Sequence, residues 1–348
     1  MKAAVLGATG YAGVILLRIL AQHPEIKTVL PVSSSAAGKA LPELDPGMPQ
    51  ALFEKTRSVG NRCIGYDEAA AEDLEVVFAA LPPLASAAQC DPFYDRAVVI
   101  DLSADFRIPD PEIFERAYSA PLPRAAQADG AVYGLTELAR DRLHDAAVIA
   151  NPGCYPTAAL LPLVPVAQEG LIRNTVVINA LSGISGAGRK AETNLLFVER
   201  SENAGAYKPG RTHRHWAEIQ YHLERLGTQL PALFTPHLVP MKQGLAVTTV
   251  AELADDLGEH DHAAINDCLA DRYSDARFIR LTGDRIPETR QVRGSNRCDI
   301  GWRVEGRYLY LFSVIDNLWK GAAGQAVQNM NVRFGFAEDL GLPDTGEL

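Results

Sequence analysis

The sequence predicts an α/β protein: a doubly wound parallel sheet, then an α+β unit with a mixed or antiparallel sheet. Three observations carry this. The chain opens with a short apolar run, a glycine-rich turn and a segment of helical period, "KAAVLGATGYAGVILLRILAQHP". Apolar, β-branched runs then alternate with longer segments, as parallel strands joined by crossovers do. From about residue 175 the strand-like runs have shorter connections, which antiparallel neighbours allow.

In the first half, "IKTVLPVSSS", "LEVVFAAL", "AVVIDLSA" and "AVIANPG" read as further strands. In the second, "TVVINALSGISGAG", "AVTTVAEL", "RFIRLTG", "CDIGWRVEG" and "YLYLFSVID" are strand-like, and "GAAGQAVQNMNVRFGF" reads as a closing helix. The 348 residues suggest two domains, with one large domain the alternative. No internal repeat or low-complexity linker is present, and the boundary falls close to Asn151–Cys154.

Apolar residues at 47% and charged residues at 22% are ordinary globular values. The net charge of -10 argues against nucleic acid or an anionic membrane as partner. A local cation cluster can still take a small anionic substrate. Five cysteines, an odd count without paired CxxC spacing, argue against a disulfide framework and a zinc site. No metal is expected, and a reducing cytoplasm fits. "MKAAVLGATG" lacks the apolar core of a signal peptide. The longest apolar tract, residues 156–167, is broken by Pro162 and Pro165; a membrane span needs about 20 apolar residues.

"GATGYAG" places Gly7, Gly10 and Gly13, with Thr9 and Tyr11, between a strand and a helix. Glycine lets the backbone turn tightly and approach a pyrophosphate lying on the helix N-terminus. The bland alternative is a tight turn with no ligand. The context makes this half of the fold Rossmann-type. Ser33, Ser34 and Ser35 follow the second strand, with no acid there to grip a ribose 2'-hydroxyl. Ser33, Ser34 and Lys39 suit a 2'-phosphate instead, so NADP(H) is expected over NAD; otherwise the serines only cap a turn.

"NPGCYPT" puts Cys154 after a strand and Pro-Gly, with Pro156 suited to a first helical turn. Amides and the helix dipole at such a start favour a thiolate. A free cysteine is more often a small buried hydrophobe, but beside a nucleotide loop and at a domain junction chemistry is the better reading. A thiolate beside a nicotinamide suggests attack on an aldehyde, hydride loss from the hemithioacetal, and release of the thioester to water or phosphate. That needs a base. "YKPGRTHRH" gathers His213 and His215 with Tyr207, Lys208, Arg211 and Arg214, a cationic cluster fit for a proton shuttle near pKa 6.5 and an anionic substrate. The alternative is a solvated basic loop.

These residues lie within a longer match. "GATGYAG", "DLSADFR" (101–107), "NPGCYPTA" (151–158), "SGISGAGR" (182–189), "HRHWAEI" (213–219), "TPHLVPM" (235–241) and "DNLWKGAAGQAVQNMN" (316–331) follow in order over nearly the whole chain. The chain resembles the N-acetyl-gamma-glutamyl-phosphate reductase family, relatives of aspartate-semialdehyde dehydrogenase. The resemblance implies reversible, NADP-dependent reductive dephosphorylation of N-acetyl-glutamyl 5-phosphate to the 5-semialdehyde, in the cytoplasm. It implies Cys154 as nucleophile and His213, with His215 less favoured, as acid/base group. It implies Arg107 as the phosphate-gripping fork, and Ser103, Tyr207, Arg214 and His215 beside the substrate. It implies cofactor contacts at Ser182, Gly183, Gly186 and Asn317, and a homo-oligomer, dimer or tetramer. The last helix would return to the first domain. That gives 1–150 with 325–348 as the NADP-binding domain and 151–324 as the catalytic and oligomerisation domain. Two departures stand out: Pro83-Leu84 where the family often has His-Gly after a proline, and Ala217-Glu218-Ile219 where it has Pro-Glu-Ile. Aspartate-semialdehyde dehydrogenase, a carrier-protein aminoadipyl-phosphate reductase and a non-catalytic NADP-binding protein are the competing readings.

Overall fold

The computed structural model describes residues 1–225, 227–258 and 262–347. The chain forms two compact units. The first comprises Met1–Glu115, Ala120–Pro152 and Ala322–Leu342, the second Arg116–Ser119, Gly153–Gly321 and Pro343–Leu348.

The first unit holds six strands: β1 (Lys2–Leu6), β2 (Thr28–Val32), β3 (Val76–Ala79), β4 (Val98–Asp101), β5 (Val132–Tyr133) and β6 (Val148–Ala150). All neighbours are parallel, in the order β2-β1-β3-β4-β6-β5. Every residue of β3 and β4 is buried. A sheet covered on both faces selects such continuous apolar strands. The order reverses at β1, with β2 on one side and β3 on the other. The crevice beyond the carboxyl ends of strands at such a reversal is where doubly wound sheets hold ligands.

The helix Tyr11–Gln22 follows β1 and buries Gly13, Leu16, Leu17, Ile19, Leu20 and Ala21. The helix Gly324–Arg333 is buried from Gly324 to Val332 despite its amides. They are satisfied: Asn329 Nδ2 donates to the Gly134 carbonyl at 2.8 Å and its Oδ1 accepts from Thr136 Oγ1 at 2.8 Å. Asn331 Nδ2 donates to the Leu340 carbonyl at 2.9 Å. Hydrogen bonds remove the cost of burying these groups.

The second unit is built on a seven-stranded mixed sheet. Its strands are β7 (Ile172–Ser182), β8 (Gly205–Ala206), β9 (Ala232–Leu238), β10 (Leu245–Leu253), β11 (Ile279–Gly283), β12 (Cys298–Glu305) and β13 (Tyr308–Ile315). The order is β11-β12-β13-β10-β7-β9-β8. β10 runs antiparallel to both β7 and β13, while β7–β9 and β11–β12 are parallel. β7 and β10 alternate buried and more exposed residues, so one face is covered and the other open.

The helix Cys154–Gln168 covers that face, packed on β7, β10 and β13 and flanked by the helices Arg214–Arg225 and His262–Tyr273. It is buried from Tyr155 to Ala167, which explains its all-round apolar sequence. The tract that two prolines were expected to interrupt is one helix. Pro162 and Pro165 supply no amide to the carbonyls of Ala158 and Leu161. Both are satisfied from outside. Ser313 Oγ donates to the Ala158 carbonyl at 2.7 Å, and Tyr273 OH donates to the Leu161 carbonyl.

The chain end differs from the sequence reading, which kept 325–348 with the first unit. Pro343–Leu348 group with the second. Asn296 N donates to the Pro343 carbonyl at 2.8 Å, Glu347 N to the Arg293 carbonyl at 2.7 Å, and Arg277 pairs with Asp344 at 2.9 Å. Leu348 itself lies outside the described residues.

Candidate active site

In the first unit the glycine loop is tied to β2: the amides of Gly7 and Ala8 both donate to the Val32 carbonyl, at 3.0 and 3.1 Å. Gly7 has φ +79°, and a Cβ there would lie 2.2 Å from the Ala80 carbonyl oxygen. A Cβ on Gly13 would lie 2.2 Å from the Gly7 carbonyl oxygen. Only glycine fits either place. Gly10 is the N-cap of the helix Tyr11–Gln22 and has no side chain with which to cap the first amides. Such a backbone cradle at a helix start suits a pyrophosphate, so these residues fit a dinucleotide. Thr9 lies within the loop and Tyr11 is exposed. Ser33 is buried with its hydroxyl 3.2 Å from that of Ser35, while Ser34 and Lys39 are exposed on the turn after β2.

The loop after β3 is held by a buried carboxylate. Asp105 accepts the amides of Leu84 at 2.6 Å and Ala87 at 3.0 Å. Leu84 has φ +68°, a left-handed conformation that favours glycine, at the position where the family often has one. Ser103 donates its hydroxyl to Asp101 at 2.9 Å and accepts the Asp105 amide at 3.2 Å. Burial, then the charge of Asp105, raises the Asp101 pKa to about 6. Arg107 is buried; its Nε donates to the Asn151 carbonyl and its Nη2 to the Leu102 carbonyl, each at 2.9 Å. As placed, Ser103 and Arg107 brace the "DLSADFR" turn.

In the second unit Cys154 is a half-buried cysteine outside any disulfide, at the first position of its helix. Gly153 is the N-cap, its carbonyl accepting the Thr157 amide at 2.9 Å and its amide donating to Glu218 Oε1 at 2.9 Å. A Cβ on Gly321 would lie 2.8 Å from the Cys154 Cβ, so glycine there leaves the thiol its room.

The next residue, Tyr155, reaches the histidine segment. Its ring meets His213 and His215 edge-on, each at 5.7 Å between centroids, and its hydroxyl is 3.1 Å from that of Tyr207. His213 is buried against Tyr207 and Phe234, each at 5.4 Å, and stands 4.9 Å from His215. His213 also caps the helix Arg214–Arg225: its Nδ1 accepts the His215 amide at 3.1 Å and its carbonyl the Trp216 amide at 2.9 Å. With Nδ1 accepting, the proton of the neutral ring is on Nε2. Burial, then the charges of Arg214 and Lys208, lower the His213 pKa to about 4. This differs from the ordinary value expected from sequence; the ring is neutral at pH 7. Burial foremost raises Tyr207 to about 12, keeping its proton. Arg214 is exposed, and Arg211 lies over the Trp216 ring at 5.2 Å.

The glycine-rich segment after β7 also assembles. Asn317 Oδ1 accepts the Gly244 amide at 2.8 Å and its Nδ2 donates to Ser185 Oγ at 2.9 Å. A Cβ on Gly186 would lie 2.9 Å from Ser182 Oγ, and one on Gly183 would strike the Gln243 backbone at 2.8 Å. Ser182, Gly183, Gly186 and Asn317 are thus brought together. Sequence reasoning missed Tyr155, Phe234 and Gly321, and took Glu218 only as a motif letter. An acid five residues beyond a catalytic candidate was the available signal for Glu218. Among the described residues no group of three His, Cys, Asp or Glu is placed to hold a metal ion, and no helix is long and apolar enough to cross a membrane.

The semialdehyde dehydrogenase NAD binding domain matches residues 2–146, and the semialdehyde dehydrogenase dimerisation domain matches residues 154–317. An N-acetyl-gamma-glutamyl-phosphate reductase of Alkaliphilus metalliredigens is 42% identical, covering 98% of each chain. One of Thiobacillus denitrificans is 42% identical over 100% of this chain and 99% of its own. Among solved structures, a probable aspartate-semialdehyde dehydrogenase from Pseudomonas aeruginosa superposes with TM-score 0.69 at 20% identity, over 96% of this chain and 98% of that one. Aspartate semialdehyde dehydrogenase II of Vibrio cholerae gives 0.68 at 18% identity, over the same shares. These two likenesses show the fold, α/β with a parallel and a mixed sheet. With two matched domains covering most of its length and relatives near 40% identity along all of it, the chain belongs to the N-acetyl-gamma-glutamyl-phosphate reductases, a family of oxidoreductases within the semialdehyde dehydrogenases.

Proposed function

We propose that the chain catalyses NADP-dependent, reversible reductive dephosphorylation of N-acetyl-glutamyl 5-phosphate to N-acetyl-glutamate 5-semialdehyde, a step of arginine biosynthesis, through a thioester on Cys154. The observation that carries the reading is Cys154 at the start of a buried helix, packed through Tyr155 against a neutral His213. The helix N-terminus favours the thiolate. Its sulfur attacks the acyl carbon, the carbon–sulfur bond forms, and phosphate leaves with the electrons of the carbon–oxygen bond. When bound, the nicotinamide cofactor would supply the hydride for reduction of the thioester. His213 Nε2–H holds the oxygen of the resulting hemithioacetal, and its collapse breaks the carbon–sulfur bond and returns the thiolate.

Gly7, Thr9, Gly10, Tyr11 and Gly13 would hold the pyrophosphate side of the cofactor, and Ser182, Gly183, Gly186 and Asn317 contribute further contacts. Ser33, Ser34 and Lys39, with no acid after β2, support NADP over NAD. Arg107 supplies positive charge for phosphate while bracing its turn, and Ser103, Tyr207, Arg214 and His215 serve the substrate. The open face of the mixed sheet carries exposed Val177, Leu181 and Leu233; we assign it to a second copy of the chain, in a dimer or tetramer. None of the five cysteines is in a disulfide, which supports a cytoplasmic setting.

The test is phosphate-dependent reduction of NADP and of NAD, with N-acetyl-glutamate semialdehyde beside aspartate semialdehyde. Strong preference for the acetylated aldehyde and NADP is expected. Preference for aspartate semialdehyde, or equal use of both cofactors, would overturn the corresponding assignment.

A further inference from the structure

Among the buried ionisable groups of the second unit that the mechanism leaves unused, one touches the residue before Cys154. Glu218 is 0% exposed, a costly place for a carboxylate unless it is hydrogen-bonded. It lies about one turn into the helix Arg214–Arg225, the helix that His213 caps. Its Oε1 accepts the amide of Gly153 at 2.9 Å, and Gly153 is the N-cap immediately before Cys154. Gly153 thus has both backbone groups engaged, its amide by Glu218 and its carbonyl by the Thr157 amide. One helix therefore has the histidine at its start and, through Glu218, holds the residue that precedes the thiol.

We infer that Glu218 is a positioning residue: by holding the Gly153 amide it fixes where Cys154 stands relative to His213, and so sets the rate of acyl transfer without moving a proton itself. The inference rests on Cys154 being the nucleophile. A misplacement of the order of an ångström can cost about a hundredfold in rate, so a single amide contact beneath the nucleophile has leverage. Its function requires an acceptor at the right reach and not a charge. Glutamine keeps the acceptor; aspartate keeps the charge and withdraws it by one methylene.

The experiment compares Glu218→Gln, Glu218→Asp and Cys154→Ser with the parent. The readouts are kcat and KM for NADPH in the full reaction, the pH profile of kcat, and the rate at which iodoacetamide alkylates Cys154. Glu218→Gln is expected to keep most of the turnover and the parental pH profile. Glu218→Asp should lose about tenfold or more in kcat and alkylate more slowly, with KM for NADPH unchanged. The opposite order, Asp active and Gln inactive, would make the charge essential and overturn positioning in favour of proton transfer. Parental behaviour of both would also overturn it. Cys154→Ser separates the two layers: if it stays active the nucleophile reading fails, whereas an inactive Cys154→Ser with parental Glu218 variants defeats the positioning inference alone.

Discussion

The Ser313 hydroxyl donates to the Ala158 carbonyl at 2.7 Å, the carbonyl left without a helical amide by Pro162 four residues on. Tyr273 OH does the same for Leu161, opposite Pro165. The helix that begins at Cys154 thus continues through two prolines, its freed carbonyls bonded by hydroxyls from β13 and from the helix His262–Tyr273. Ser313→Ala and Tyr273→Phe should each destabilise the chain by about 1–3 kcal/mol, the cost of an unsatisfied buried carbonyl. Urea midpoints measure it, and unchanged midpoints in both variants would remove the assignment.

Leu84 stands at φ +68°, where a side chain costs roughly 1–2 kcal/mol over a right-handed conformation. Leu84→Val should lower the melting temperature, since a β-branched residue tolerates this conformation worse. Leu84→Gly should not lower it. Equal losses in the two variants would show that packing and not backbone strain governs the position.

His23 is fully buried, with Nε2 2.9 Å from Asn331 Oδ1, and burial foremost lowers its pKa. The unfolded chain therefore takes up this proton first, at pH about 6.5. The stability associated with the neutral ring is complete above that pH and lost as pH falls towards the folded value. Asp101 works in the opposite sense: its folded pKa, raised to about 6, favours the fold below the unfolded value and loses that contribution as pH rises through 6. The difference between parent and His23→Gln isolates the histidine. The variant should lose less stability than the parent between pH 7 and about 5; parallel curves would contradict the assignment.

His213 is held neutral by burial and by Arg214 and Lys208, with a pKa of about 4. Its contribution to kcat/KM should stay flat from pH 8 down to about 5 and fall only near its folded value. The ratio of parent to His213→Asn, followed across pH, reports this. His213→Asn should be slower by about a hundredfold, and a ratio that halves near pH 6.5 would show an unshifted histidine.

What could be read in the sequence was what neighbouring residues decide. The strand–glycine–helix start, the serines after β2 and the placing of Cys154 at a helix N-terminus all rest on a few consecutive residues. The distant matters were illegible. Pro162 and Pro165 read as breaks because the hydroxyls that rescue them come from 155 and 112 residues away. β9 was not among the strand-like runs; Pro236 lies within it, and a proline argues against a central strand. Here its only neighbour on one side is the two-residue edge β8. The low pKa of His213 depends on Phe234 and Tyr207 closing around it, and the role of Glu218 on a helix meeting a turn 65 residues earlier.

The thioester on Cys154 is the centre of this account, and trapping it is the most direct test. The enzyme is mixed with N-acetyl-glutamate semialdehyde and NADP without phosphate, quenched in acid, digested and examined by mass spectrometry. An N-acetyl-glutamyl adduct on the peptide carrying Cys154, discharged when phosphate is added before the quench and missing from Cys154→Ser, is the predicted result. Full turnover by Cys154→Ser, or an adduct confined to another cysteine, would contradict it.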